Sequence, residues 1–483
     1  MLVAGVDSST QSTKVMLCRA DDGTVVGQAS APHPDGTECD PELWWQALAT
    51  AGDGLLDRAE AVGVAAQQHG MVVVDEAGQV IRPALLWNDV RSAPQARALI
   101  SELGGPEQWA SQTGSVPTAS FTVTKLRWLA EHEPDAATRT ARVMLPHDWL
   151  TWRLAGGGPG GGSGAAGAAE PATDRGDASG TGYFSPAAGQ WLPGHAEAAL
   201  GHPVGLPRLA GPAEIVGQTA AGAALSAGTG DNMGAALGLG LGLDPGEVVV
   251  SIGTSGTAYA VAGRAAQDAT GAVAGFADAT GRFLPLVATI NAARVLTVTA
   301  RMLGTDAAGL SRLALAAPPG AQGLVLLPYL DGERSPNRPD ASGVLRGLTS
   351  LNSTPENLAR AAVEAVLCSL ADAIGNLADC GITAQRVILI GGAARSEAIR
   401  QVAPAIFGVP VTVPEPAEYV ALGAARQAAW ALSAAAGSGS GSGAAWPPSW
   451  PLPGVSAEYT AEPAPEVRER YGRLRDDTLG WTA

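Results

Sequence analysis

The chain has 483 residues, of which 46% are hydrophobic, and a formal net charge of -16. This length exceeds what one hydrophobic core organises, so two domains of roughly 200 residues or more are expected. The acidic balance argues against general affinity for DNA, RNA or anionic membranes, while leaving local binding of a single nucleotide open.

Asp7 follows the amino terminus with no basic region before it, so an ordinary secretory signal is not expected. No uncharged run combines the length and the Leu/Ile/Val/Phe density of a membrane helix, and the expectation is a soluble, cytoplasmic protein. Cys18, Cys39, Cys368 and Cys380 form no CxxC pair and no His-linked zinc pattern. They read as reduced thiols packed as small core residues. Lysine occurs only at Lys14 and Lys125, which marks both positions.

Residues 2–6 form a short apolar run that reads as a buried strand, with 14–18 as its hairpin partner. Between them lies Asp7-Ser-Ser-Thr-Gln-Ser-Thr13, a turn rich in hydroxyls and backbone N–H groups. Such a turn, with Thr10, Gln11 and Ser12, can cradle an anion. Lys14 can add a point charge to the β/γ-phosphates and Asp7 can hold magnesium through water; a polar hairpin tip reads equally from these residues. Asp40-Pro41 starts a helix, Asp as N-cap and Pro at the first helical position, with Trp44 and Trp45 on its buried side.

A strand at 62–66 leads into Gln67-Gln-His-Gly70, followed by an apolar run at 71–74 and a turn at 76–78. His69 stands just past a strand end, where ligand-facing residues gather in α/β folds, although a structural histidine fits as well. Trp87, Asn88, Asp89 and Arg91 cluster after another strand, as a hydroxyl-reading pocket needs or as a loop held by an Asp89–Arg91 ion pair. Residues 156–169 are almost only Gly, Ala, Ser and Pro, a flexible surface insertion. Structure resumes at 173–181, where Asp174 or Asp177 lines a cleft or serves turn chemistry.

Gly228-Thr-Gly-Asp-Asn-Met-Gly234 then sets one carboxylate among glycines. Asp231 there can act as a general base, take magnesium or close a turn. A strand-turn-strand at 248–261, around Gly253-Thr-Ser-Gly256, repeats the design of the opening and points to two related halves, each offering a loop to phosphate. A strand at 323–330 ends in Asp331-Gly-Glu-Arg-Ser335. Thr354-Pro355 starts a long helix whose Leu358, Ala362, Val366, Leu370, Ile374 and Leu377 share one face, with Gly381 as its stop. The strand 386–390 runs into Gly391-Gly-Ala-Ala-Arg-Ser396, a turn whose small residues permit close approach of a nucleoside or its phosphates. A helix at 418–432, a Gly/Ser linker at 437–443 and a charged helix at 465–478 complete the chain. No GxxxxGK[ST] loop is present, and Gly238-Leu-Gly-Leu-Gly-Leu243 is not a GxGxxG, so P-loop or Rossmann binding of the nucleotide is not expected.

Seven of these motifs, taken together and in order, resemble the FGGY carbohydrate kinases over nearly the whole chain: 7–14, Gln68-His-Gly70, 86–91, Gly230-Asp-Asn232, 251–256, 327–334 and 390–396. The resemblance implies an α/β, two-domain actin-like fold with ribonuclease-H-type cores and the active site in the interdomain cleft. Domains are then expected at 1–243 for the sugar and 244–436 for ATP, with a flexible linker and tail at 437–483. It implies ATP-dependent phosphorylation, with Mg2+, of a primary hydroxyl of a ketopentose, most simply C5 of D-xylulose. Ribulose, another ketose or a polyol are the alternatives, and a non-catalytic actin-like sugar sensor is the rival from another class.

By position Asp231 takes the base role. Gln68, His69 and Asn232 face the sugar, beside the Trp87, Asp89 and Arg91 pocket. Thr10 and Thr254 face phosphate with Gln11, Ser12, Lys14 and Gly253, while Gly391, Gly392, Ala393 and Ser396 face adenosine. The family often carries Met where this chain has Gln68, so Gln68 is expected to read a different hydroxyl. No nucleic-acid or membrane partner is implied, and a homodimer is compatible with the reading.

Overall fold

The computed structural model describes residues 1–159, 169–242, 246–437, 446–454 and 456–481. It divides into two compact units, Met1–Leu241 with Ala262–Leu284 and Glu418–Leu452, and Gly242–Val261 with Pro285–Ala417 and Pro453–Ala483.

The first unit opens with β1 (Leu2–Ser8), whose residues are almost all buried, as a continuous apolar run at the centre of a sheet should be. It pairs antiparallel with β2 (Ser12–Arg19), Asp7 opposite Lys14, and β2 pairs antiparallel with β3 (Val25–Pro32). α1 (Pro41–Gly52) starts as expected, with the Asp40 carboxylate accepting the Glu42 N–H at 3.0 Å, and it buries Trp44. β4 (Ala61–Ala66) returns parallel to β1. A run of helices between residues 93 and 154 follows, including α2 (Thr122–His132) and α3 (Pro146–Leu154). The strands β5 (Ile215–Gln218), β6 (Ala224–Ser226) and β7 (Thr229–Gly230) then lead into α4 (Asp231–Gly238). The sheet order is β5-β6-β4-β1-β2-β3, with β7 also beside β4.

The second unit repeats the scheme. β8 (Glu247–Ile252) pairs antiparallel with β9 (Gly256–Tyr259), which pairs antiparallel with the last residues of β10 (Phe283–Thr289). After α5 (Pro355–Asp379), β11 (Arg386–Ile390) lies parallel to β8. After α6 (Glu397–Phe407), β12 (Val411–Val413) lies parallel to β11. Three antiparallel strands extended by parallel ones, β10-β9-β8-β11-β12, match β3-β2-β1-β4-β6. The internal echo expected from the two strand-turn-strand motifs is therefore a repeat of topology, and the two-domain α/β architecture is present.

The compact units are not the linear blocks expected at 1–243 and 244–436. α7 (Tyr419–Gly437) belongs to the first unit, where it packs on β1, β4 and α4 through glycines. A Cβ added to Gly423 would lie 1.8 Å from the Gly234 carbonyl oxygen, and one on Gly5 1.8 Å from that of Ala421. Only glycine lets these backbones touch. In the region 437–483, expected as a flexible linker and a tail with a charged helix at 465–478, that helix is present as α8 (Pro465–Asp477), which buries Val467, Tyr471 and Leu474 in the second unit, and β13 (Ala457–Tyr459), antiparallel to β12, was not foreseen. The linker residues 438–443 lie outside the described residues. So do 160–168 of the glycine-rich insertion. Its described flanks are anchored, with Gly157 N–H bonded to the Trp152 carbonyl and the Trp152 indole N–H donating to the Ala169 carbonyl at 2.7 Å.

Other boundaries moved as well. The strand expected at 323–330 shortens to Val325–Leu327. β3 carried no sequence signal because most of its residues are exposed, so no alternation of apolar and polar residues marks it. α5 is long and apolar enough to span a bilayer by composition, yet most of it is buried within its unit. Cys18, Cys39 and Cys368 are buried free thiols, and burial pushes Cys18 up to about 12.

Candidate active site

Strand register gathers the first group of residues. In the sheet of the first unit Ser8 and Gly230 both stand opposite Ala66, one from β1 and one from β7. The turn after β1, the Gln67–Gly70 segment after β4 and Asp231–Asn232 after β7 therefore leave the same edge of one sheet, where α/β folds place their ligands.

Asp231 is the first residue of α4 and is half-buried. One carboxylate oxygen accepts the Asn232 backbone N–H at 2.8 Å and its side-chain amide at 2.9 Å. The same Asn232 amide donates to Gln68 Oε1 at 2.9 Å, so base candidate, Asn232 and Gln68 form one chain. Burial, then the carboxylates of Asp7 and Asp177, push Asp231 up to about 7. A carboxylate at that value is suited to take a proton near neutral pH. Among the described residues the Gln68 Nε2 and both amide atoms of Gln67 are buried and meet no hydrogen-bond partner.

The turn after β1 is braced from behind. Thr13 Oγ1 lies 3.2 Å from Ser8 Oγ and 2.8 Å from His33 Nε2, and the His33 backbone N–H donates to the Gln11 carbonyl at 2.8 Å. Gln11 is exposed, while Thr10 and Ser12 are half-buried; Thr10 accepts the Trp87 indole N–H at 2.8 Å. Asp7 is buried, which raises its pKa, and accepts from the Ser9 hydroxyl. The Lys14 ammonium stands 3.6 Å from Asp7 and 2.6 Å from Glu418, so it enters any phosphate site already paired. Among the described residues no three His, Cys, Asp or Glu side chains are grouped to hold a metal. Asp7 offers one buried carboxylate, which suits magnesium, an ion that keeps several waters and takes other ligands from phosphate.

His69 is buried and has a left-handed backbone, φ +66°. Its Nδ1 lies 2.6 Å from the Gly180 carbonyl oxygen. Asp89 and Arg91 are brought together, but with each other: Asp89 accepts the Arg91 Nε at 2.9 Å, and another guanidinium nitrogen reaches Glu38 at 2.5 Å. Of the expected pocket, only Trp87 leaves its ring substantially exposed.

In the second unit β8 and β11 run parallel with Ser251 opposite Ile390, so the turns at Gly253–Thr254 and Gly391–Ser396 emerge side by side. Gly391 has φ +93°, and a Cβ there would lie 2.7 Å from the Ile252 carbonyl oxygen; the two turns abut through this glycine. Around Gly392 an added Cβ would meet nothing within 4 Å, and Thr254 is exposed. Ala393 is half-buried, and Ser396 caps α6 without spending its hydroxyl on the helix. The Gly253 carbonyl accepts the Ala293 N–H at 2.9 Å. Glu333, from the Asp331–Ser335 motif, accepts the backbone N–H of Ile290 at 2.6 Å and so ties down the segment that holds this turn. The result is an open, small-residue surface with a helix N-terminus behind it, fit for a nucleotide.

Comparison with known proteins decides the family. Residues 2–240 match the N-terminal domain of the FGGY family of carbohydrate kinases and residues 248–432 its C-terminal domain. The chain belongs to this family. It is 46% identical to a xylulose kinase of Streptomyces coelicolor over 449 residues, covering 89% of this chain and 88% of that protein. It is 35% identical to a xylulose kinase of Escherichia coli, covering 84% of each. The crystal structure of xylulose kinase from Bifidobacterium adolescentis superposes with a TM-score of 0.89 at 44% identity, covering 98% of this chain and 99% of that one. This chain is accordingly a sugar kinase, a phosphotransferase.

The sequence reading gave no role to His33, Gln67 or His147 and left Asp174 and Asp177 between cleft and turn; the structure joins the last three in a buried charge cluster. On α3, His147 is fully buried, with Nδ1 2.6 Å from Asp177 and Nε2 3.2 Å from Asp148. Burial alone would lower its pKa; Asp148, Asp177 and Asp174 outweigh burial and raise it to about 9. The carboxylate oxygen of Asp177 that does not meet His147 has no hydrogen-bond partner among the described residues and lies 3.2 Å from where a Cβ of Gly230 would be, next to Asp231. Asp174 instead caps its own helical turn and accepts the Thr229 hydroxyl at 2.9 Å. The linear signals were a histidine beside an aspartate in an apolar run and the two aspartates of the 173–181 segment.

Proposed function

We propose that this sugar kinase transfers the γ-phosphoryl of ATP to the C5 hydroxyl of D-xylulose, with Asp231 as general base. The observation that carries the base assignment is the Asp231 carboxylate itself. It is anchored by Asn232, linked to Gln68 at the edge where three strands end, and raised to about 7. The names of the relatives support the choice of sugar.

In this reading Asp231 takes the proton of the attacking hydroxyl as the phosphoryl group moves, a contribution of roughly 10²-fold or more to rate. Asn232 holds the base in place, and Gln68 and His69 engage sugar hydroxyls. Bound magnesium would neutralise charge on the phosphate oxygens, and Asp7 would hold it through water. Thr10, Ser12 and Thr254 meet phosphate, and the Gly391–Gly392 backbone lies along the adenosine. The partnerless Gln68 Nε2 favours a second outcome within the same family, an added preference for a ketose whose hydroxyl it can pair.

The test is ADP release measured across a panel of ketoses, aldoses and polyols, with parent and Asp231→Asn enzymes. D-xylulose should give the highest efficiency, and Asp231→Asn should lower turnover by about 10² or more while sugar and ATP still bind. Turnover within about threefold of the parent would remove Asp231 from the base role, and preference for another sugar would replace xylulose.

A further inference from the structure

Of the two lysines, Lys14 stands in β2 opposite Asp7, and Lys125 is the one on α2. It sits in the first turns of α2 and is 1% exposed. Among the described residues no carboxylate stands within ion-pair distance of its ammonium. The ammonium donates instead to two main-chain carbonyls, that of His69 at 2.9 Å and that of Ser120. The Thr122 hydroxyl donates to the same His69 carbonyl at 3.2 Å. Burial pulls Lys125 down to about 7, with Asp89 the only charge opposing that shift. An apolar residue would fill the space with no such desolvation cost, so the donors must supply something packing does not.

What they supply is the geometry of His69. A non-glycine residue holds a left-handed backbone only where its surroundings over-determine it. Here two donors converge on the carbonyl of that residue. The same ammonium, through Ser120, ties down the segment carrying Phe121, whose ring lies 4.9 Å from the imidazole. Phe276 stands 5.8 Å away and the Gly180 carbonyl takes Nδ1. The backbone of His69, and through Ser120 the segment whose Phe121 flanks its ring, are thus held at one ammonium. A lysine can do this because its three donors diverge from a single point at the end of a slender stem.

We propose that Lys125 is a positioning residue for sugar recognition, fixing the backbone and ring of His69 so that its imidazole meets a substrate hydroxyl. The proposal rests on the reading of His69 as a sugar contact. Lys125 acts through His69 and touches neither ATP nor the reacting atoms.

The experiment is a kinetic double-mutant cycle on the sugar that the parent uses best, with Lys125→Met, His69→Ala and the double variant, each varied against sugar and against ATP. Lys125→Met keeps the stem and removes the donors. It should raise the sugar KM by about tenfold or more while leaving the ATP KM unchanged. In the His69→Ala background the same substitution should raise the sugar KM no further, because coupled residues fail additivity. Thr122→Val removes one donor and leaves the ammonium; it should shift the sugar KM the same way by a smaller factor, and it serves if Lys125→Met does not fold. An unchanged sugar KM, or full additivity in the double variant, overturns the proposal while leaving His69 as a sugar contact. If His69→Ala itself leaves the sugar KM unchanged, the underlying reading fails and the positioning role fails with it.

Discussion

As the proposed base, Asp231 would act as the unprotonated carboxylate, and burial with the neighbouring Asp7 and Asp177 charges moves its titration up to about 7. Turnover should therefore rise with pH through about 7 and level off above it. Asp7→Asn removes one repelling charge, so whatever its effect on the plateau, it should move that limb to lower pH; a limb that stays in place would assign the titration to another group. His147 makes a second pH-dependent statement. Its pKa is raised from 6.5 to about 9, so the stability that it contributes is fully present below 6.5 and is lost as pH rises through about 9. His147→Asn strands the Asp177 and Asp148 carboxylates and should cost about 3–5 kcal/mol in denaturant unfolding at neutral pH. That deficit should shrink towards about pH 9.5, and a deficit independent of pH would mean that shape rather than charge is what His147 provides.

At the scale of elements, the site depends on how closely α7 lies against β1, β4 and α4. Gly423 and Gly234 meet backbone to backbone, and a Cβ on Gly238 would lie 2.0 Å from the Tyr419 carbonyl oxygen. α4 begins at Asp231, so this contact sets where that carboxylate stands. Gly423→Val should destabilise the protein by about 3 kcal/mol or more and lower activity in step with the folded fraction. A variant that melts like the parent would show that the helix can slide outward without cost. The motifs of this region were readable because turns advertise themselves through Gly, Asp and hydroxyl residues. Which helix leans on them was not, since Gly423 lies almost two hundred residues from Asp231 and carries no side-chain pattern.

At the scale of the whole molecule, two units of matching topology divide the proposed work: the proposed sugar and base residues lie in the first, and the open surface proposed for the nucleotide in the second. The carboxyl-terminal segment belongs to that second unit. α8 buries Val467, Tyr471 and Leu474, Arg475 pairs with Asp372 at 2.6 Å and Arg338 donates to Thr478. Each apolar side chain so buried is worth about 1.5–3 kcal/mol. Removing residues 465–483 should therefore leave a poorly soluble or unfolded second unit; a truncated chain with full activity and an unchanged melting curve would make α8 dispensable. By itself the sequence determined the α/β class, the buried strands and the turns that follow β1 and β8, because apolar runs and turn chemistry are local. Only the tertiary structure decided that Lys14 is paired with Glu418, that Asp89 and Arg91 satisfy each other, that His33 and Lys125 brace the loops, and that α7 returns to the first unit. Hydrogen-bond partners and close backbone approach are set between residues far apart along the chain, and no residue type in one stretch specifies the stretch that it will meet.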